Sequence, residues 1–257
     1  MAFLQCSFHS DVLGMGCQMN VIVPQIAKTE IGITSAKSKR KKYKLLYLLH
    51  GCSDDHTIWG RRTSIERYVA GQDLVVVMPC VHRSYYTDMK EGGKYWTFIS
   101  AELPAIVEDM FPVSTKREDT FVAGLSMGGY GTLKLLFNQP ERFAGGAALS
   151  AVTYMDIIRG WRPDEWRQIF GTPKQFAGTI NDLETAAAKL AKSGVAVPKI
   201  FQCCGTEDFL YQDNLKFRDY LKSLKLAAEY REYPGEHNWY FWDAHIVEAL
   251  RAIGAIA

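Results

Sequence analysis

The chain has no CxxC pair, no apolar run approaching the ~18 residues of a membrane-spanning helix, and no excess of either charge. Its 30 basic residues face 28 acidic ones, a formal net charge of +2, which offers no handle for nucleic acid or an anionic membrane. The cysteines stand at 6, 17, 52, 80, 203 and 204, without the paired spacing of a metal site. Reduced, mostly buried thiols are therefore expected, with no metal and no cofactor. The opening stretch MAFLQCSFHSDVLG lacks a basic region, an apolar core and a small-residue cleavage site, so the sequence predicts no secretory leader and a cytoplasmic location. Repeats and linkers are missing too, and the expectation is a single domain over 1–257. What is present is an ordinary globular composition, 47% hydrophobic and 23% charged, in a chain of 257 residues that can bury a core without staples.

In chain order, 2–9 and 15–24 read as an antiparallel hairpin turning near Leu13-Gly14. The polar, basic stretch KTEIGITSAKSKRKK at 28–42 reads as a solvated loop rather than a nucleic-acid patch. Continuous apolar runs at 43–49 and 74–79, separated by an amphipathic segment at 58–70, predict parallel strands buried on both faces and joined by a helix. The loop at 80–96 is long and rich in aromatics, including Tyr85, Tyr86, Tyr95 and Trp96, and loops of that length tend to carry function. A helix is expected from Thr97 to Met110, strands at 121–125 and 143–150, then an interruption at 151–180 with Trp161 and Trp166. This last stretch reads as a lid-like insertion at the carboxyl edge of the sheet. Helix 181–193, strand 198–204, helix 212–225, strand 227–233 and helix 239–253 complete an α/β pattern.

The stretch FVAGLSMGGYG at 121–131 carries the chemistry. A strand runs into Gly124-Leu125-Ser126-Met127-Gly128, a G-x-S-x-G turn, and then into a helix, which exposes the Ser126 hydroxyl beside a helix N-terminus that favours an oxyanion. Serine needs a base to take its proton and an acid to orient that base, and in such sheets they follow in the order Ser, acid, His. His237, in a Pro-Gly turn after a strand, is preferred over His245 inside the last helix. The acid lies in Gly205-Thr206-Glu207-Asp208: Asp208 is preferred for its shorter side chain, and Glu207 remains open. The backbone N–H groups of Met127 and of Cys52, in the loop His50-Gly51-Cys52, are the candidate oxyanion donors. Trp96, Trp161 and Trp166 are candidate substrate contacts.

These segments together resemble the putative-esterase group of α/β-hydrolases, which includes tributyrin, acetyl and feruloyl esterases, S-formylglutathione hydrolases and mycolyltransferases. The likeness runs through DVLGM, LLHGCSDDHTIWGRRTSIERY, LVVVMP, AGLSMGGYGTLKL, CGTEDFLY and GEHNWYFWD. It implies the α/β-hydrolase fold, with a mostly parallel sheet, N-terminal antiparallel strands, helices on both faces and an insertion after the strand ending near Ser150. It also implies Asp208 as the acid, with Cys52 and Met127 at the oxyanion. The expected activity is hydrolysis of short-chain acyl esters through an acyl-enzyme, with acetylated or feruloylated sugars among the substrates. An S-formylglutathione hydrolase-type thioesterase is the main alternative, and a non-catalytic carbohydrate-binding protein a lesser one. Partners reduce to the small ester itself and room for a homo-oligomer.

Overall fold

The computed structural model describes residues 1–27, 29, 31, 32 and 42–257; most of the basic segment at 28–42 lies outside the described residues. Eight strands form one sheet in the order β1-β2-β4-β3-β5-β6-β7-β8. Strand β1 (Ala2–Ser10) and β2 (Met15–Val23) make the expected hairpin, and β2 also pairs antiparallel with β4 (Leu74–Pro79). From β4 onward every pairing is parallel, through β3 (Lys44–Leu49), β5 (Thr120–Leu125), β6 (Gly145–Leu149), β7 (Lys199–Gly205) and β8 (Ala228–Tyr233). The fold is that of the α/β-hydrolases.

Strand side chains alternate between the two faces, so β3 sends Leu45, Tyr47 and Leu49 to one core and Leu46 and Leu48 to the other. The expected helix over 58–70 is two short ones, α1 (Ile58–Arg62) and α2 (Ile65–Tyr68). The break falls where the Thr63 hydroxyl bonds back to the Trp59 carbonyl at 2.6 Å and the Ser64 N–H is drawn to Asp243 at 3.3 Å. Helix α3 (Tyr95–Thr97) passes through a π-turn at Phe98–Glu102 into α4 (Leu103–Met110), and α5 (Met127–Asn138) follows the G-x-S-x-G turn. Residues 151–180 hold three short helices, α6 (Asp156–Trp161), α7 (Pro163–Phe170) and α8 (Pro173–Phe176). After them come α9 (Leu183–Ser193), α10 (Tyr211–Ser223) and α11 (Trp239–Ile253). Helices α4, α5, α9 and α10 cover one face, while α1, α2 and α11 cover the other. Because β3 and β5–β8 are parallel, the loops after β3, β5, β7 and β8 emerge at one edge, the place where open α/β sheets bind ligands.

Candidate active site

Ser126 links β5 to α5 with φ 53° and ψ −116°, a backbone conformation that side-chain-bearing residues rarely adopt and that recurs at functional turns. The turn is tight enough to require its glycines. A Cβ on Gly124 would lie 2.5 Å from the Gly128 carbonyl oxygen, and one on Gly128 would lie 2.5 Å from the Leu49 carbonyl oxygen. The Ser126 N–H donates to Leu149 O on β6 at 2.9 Å, which pins the apex to the neighbouring strand.

Three loops converge on this serine. His237 Nε2 stands 3.0 Å from Ser126 Oγ, and His237 Nδ1 stands 2.9 Å from Asp208 Oδ2 and 3.1 Å from Oδ1. A carboxylate facing Nδ1 places the imidazole proton there, so Nε2 is left to accept from the serine hydroxyl. The Asp208 carboxylate is wholly buried and also accepts from the Leu210 N–H at 2.8 Å, which fixes its orientation. The loops after β7 and β8 are tied together by Thr206 N–H to Tyr233 O at 2.9 Å and Glu207 N–H to Gly235 O at 3.1 Å. Glu207, left open by the sequence, accepts from the Gly235 N–H and from the Thr206 hydroxyl, and the Gly235 bond holds its carboxyl below the usual range. Its place is in the loop's frame, away from the imidazole. His245 stacks on Tyr233 with ring centroids 3.9 Å apart, within α11.

The loop after β3 is held from below. His50 is buried, with Nδ1 donating to Gly51 O at 2.7 Å and Nε2 accepting from the Val81 N–H at 3.0 Å, so both ring nitrogens serve the backbone. Burial lowers its pKa to about 4 and keeps the ring neutral. Trp59 Nε1 donates to Leu49 O at 3.0 Å and the Tyr86 hydroxyl to His50 O at 2.9 Å. Cys52, in this loop, lines the same cavity as Ser126, and Met127 is the first residue of α5; no hydrogen bond from either N–H is seen among the described residues. The Cys52 thiol is raised by burial, the opposite of what an activated nucleophile needs.

A cavity of about 420 Å³ opens over Ser126, and its lining includes the apolar Leu125, Val152, Ile157 and Ile158 and the charged Asp54, Arg83 and Arg162. Of the three expected tryptophan contacts, only Trp161 lines it. Trp161 is 58% exposed and packs on Phe209 at 5.0 Å, which in turn packs on the His237 ring at 4.5 Å. Trp166 is turned inward, buried against Phe170 and Phe176 at 4.7 and 4.9 Å, and glues the insertion together. Trp96 lies under the Lys134 ammonium at 4.7 Å, on the α5 side of the long loop. Sequence reasoning missed Phe209, Trp239 and Trp242. Their signal was adjacency, since Phe209 directly follows the acid and the two tryptophans sit two and five residues beyond His237. Among the described residues, no three His, Cys, Asp or Glu side chains are grouped to hold a metal, and no helix is long and apolar enough to cross a membrane.

Known proteins are similar to this chain over nearly its whole length. The chain is similar to an acetyl esterase of Caldicellulosiruptor saccharolyticus, 30% identical over 267 residues that cover 100% of both chains. It resembles FphF, a fluorophosphonate-binding serine hydrolase of Staphylococcus aureus, with 36% identity, 98% coverage of each chain and a TM-score of 0.88. It also resembles an S-formylglutathione hydrolase (FrmB) of the same organism, at 36% identity, 98% coverage of each chain and a TM-score of 0.86. A ferulic acid esterase at 21% identity shares the fold, covering 100% of this chain and 98% of that one with a TM-score of 0.79. Residues 25–253 match the family model described as putative esterase, and the chain belongs to that family of serine-type carboxylic ester hydrolases.

Proposed function

We propose that this esterase hydrolyses short-chain acyl esters by double displacement at Ser126, with His237 as general base and Asp208 as its orienting acid. The observation that carries the reading is the unbroken hydrogen-bond chain from Asp208 through His237 to Ser126, at 2.9 and 3.0 Å. Ser126 Oγ attacks the acyl carbon while its proton passes to His237 Nε2, and the carbonyl oxygen takes up negative charge between the N–H groups of Cys52 and Met127. Collapse of this intermediate breaks the bond to the alcohol oxygen, which leaves with the proton from Nε2. Water, deprotonated by the same nitrogen, then attacks the acyl-enzyme and releases the acid. The imidazolium formed in each half-reaction faces a buried carboxylate that stabilises it. A cavity of about 420 Å³ walled by Val152, Ile157 and Ile158 suits a small uncharged acyl group, in keeping with the similar acetyl esterase.

A second reading, thioester hydrolysis of the S-formylglutathione kind, is favoured by Arg83 and Arg162. Both line the cavity, which Asp54 also lines, and both pair with the single carboxylate of Glu165, so two guanidinium groups stand where an anionic thiol portion would lie. Turnover of p-nitrophenyl acetate, p-nitrophenyl butyrate and S-formylglutathione by the same enzyme separates the two. Ester cleavage predominating supports the first reading, and a kcat/KM at least about tenfold higher on the thioester replaces it with the second. If the arginines select anionic leaving groups, the double variant Arg83→Met/Arg162→Met lowers kcat/KM for S-formylglutathione by about tenfold while leaving p-nitrophenyl acetate within about twofold.

A further inference from the structure

Lys134 lies eight positions beyond Ser126 on α5 and is completely buried, with no carboxylate bonded to it among the described residues. Its Nζ donates to Tyr86 O at 2.7 Å and to Thr87 Oγ1 at 2.9 Å, and sits over the rings of Trp96 and Tyr130 at 4.7 and 5.7 Å. Thr87 Oγ1 donates in turn to Tyr85 O at 2.8 Å. One amine thus restrains the carbonyls of two successive residues, directly at Tyr86 and through a hydroxyl at Tyr85. Both tyrosines have φ 51°, in the left-handed region that aromatic residues seldom enter, so the segment needs outside restraint to stay there.

This strained pair reaches the oxyanion loop. The Tyr86 hydroxyl donates to His50 O, two residues before the Cys52 N–H, and the Tyr85 hydroxyl lies against the Cys52 thiol. Helix α5 leaves room for the arrangement, since a Cβ on Gly131 would come within 2.6 Å of the Tyr86 ring. The same helix therefore presents one oxyanion donor at its first residue, Met127, and two turns later grips the segment that holds the other.

We infer that Lys134 is a positioning residue for the oxyanion hole, setting the Cys52 N–H relative to the Met127 N–H through the Tyr85-Tyr86 segment. This rests on the assignment of Ser126 and of the two N–H donors above. Positioning needs only two N–H donors on Nζ, which an ammonium and a neutral amine both possess, so it does not depend on the lysine's charge.

The test is kcat per active site in Lys134→Met and Tyr86→Phe, with sites counted by fluorophosphonate labelling run to completion, so that loss of folded protein does not register. Both variants are expected to lower kcat by about ten- to a hundredfold with KM within about twofold. Affinity for a trifluoromethyl ketone, which forms a tetrahedral adduct at the serine, should fall in parallel. Because both residues act along one chain of contacts, the double variant should lose little more than the worse single one. Tyr86→Phe at wild-type kcat overturns the inference whatever Lys134→Met does, as does a double variant whose losses multiply. If Ser126→Ala is inactive while Tyr86→Phe is normal, only this inference fails; if Ser126→Ala stays active, the underlying assignment fails.

Discussion

At the scale of single residues, His50 shows how a buried polar side chain can brace the loop in which the proposed oxyanion donor Cys52 lies. Its ring ties Gly51 O to the Val81 N–H, joining the loop after β3 to the loop after β4. Burial moves its pKa from the ordinary 6.5 down to about 4. Between those values the unfolded chain binds the proton that the folded one refuses. The ring's contribution is therefore complete above about pH 6.5 and is lost as pH falls toward 4, about 3 kcal/mol in all. Urea unfolding at pH 7 and pH 4.5 should show stability falling on the acid side, and the His50 ring signal in NMR should titrate near pH 4; a midpoint near 6.5 would contradict the burial argument. Gly128 makes a steric case at the same scale. Its absent Cβ would lie 2.5 Å from Leu49 O and 2.7 Å from His50 O, backbone atoms at the end of β3 and the start of the loop that carries Cys52. Gly128→Ala should destabilise the fold by about 1–3 kcal/mol and lower kcat by more than about tenfold at temperatures where it remains folded, as thermal melting and steady-state rates would show.

Among elements, the insertion at 151–180 decides the shape of the cavity. Its first helix, α6, supplies Ile157, Ile158 and Trp161 to the wall, and the junction with α7 supplies Arg162. A free-swinging lid would be attached only at its two ends, whereas α7 is stitched to the long loop after β4 along its length. Lys90 N–H donates to Ile169 O at 3.0 Å, Glu91 N–H to Gln168 O at 2.9 Å, and Arg83 pairs with Glu165. The aromatic cluster of Trp166, Phe170 and Phe176 fills the space beneath. We therefore expect the amides of Lys90 and Glu91 to exchange with solvent far more slowly than those of an open loop; hydrogen exchange read by mass spectrometry checks this, and exchange within seconds would restore the mobile lid. Sequence patterning had little to say here. The tryptophans at 161 and 166 differ by five positions, and which of them lines the cavity depends on where α6 ends and α7 begins, a break at Arg162-Pro163 that periodicity does not locate.

For the whole molecule, what was legible was what the sheet imposes. Apolar runs such as LLYLL and LVVVM predict strands buried on both faces, and parallel strands must put their following loops at one edge, so Ser126, Asp208 and His237 were bound to meet once the order of elements was known. Choices within a loop were only partly legible: the sequence favoured Asp208 over the adjacent Glu207 without excluding it, and the Gly235 N–H, brought up by the neighbouring strand, shows that Glu207 is taken by the backbone. The same holds for the path from Lys134 through Tyr86 to His50, whose two links span 48 and 36 positions and leave no local pattern. The central claim is nucleophilic attack by Ser126, and the most direct measurement is the rate of p-nitrophenyl acetate hydrolysis by Ser126→Ala beside the parent enzyme, with melting temperatures matched. The account predicts a fall in kcat of about 10⁴-fold or more with the fold retained. A variant within about tenfold of the parent rate would contradict it.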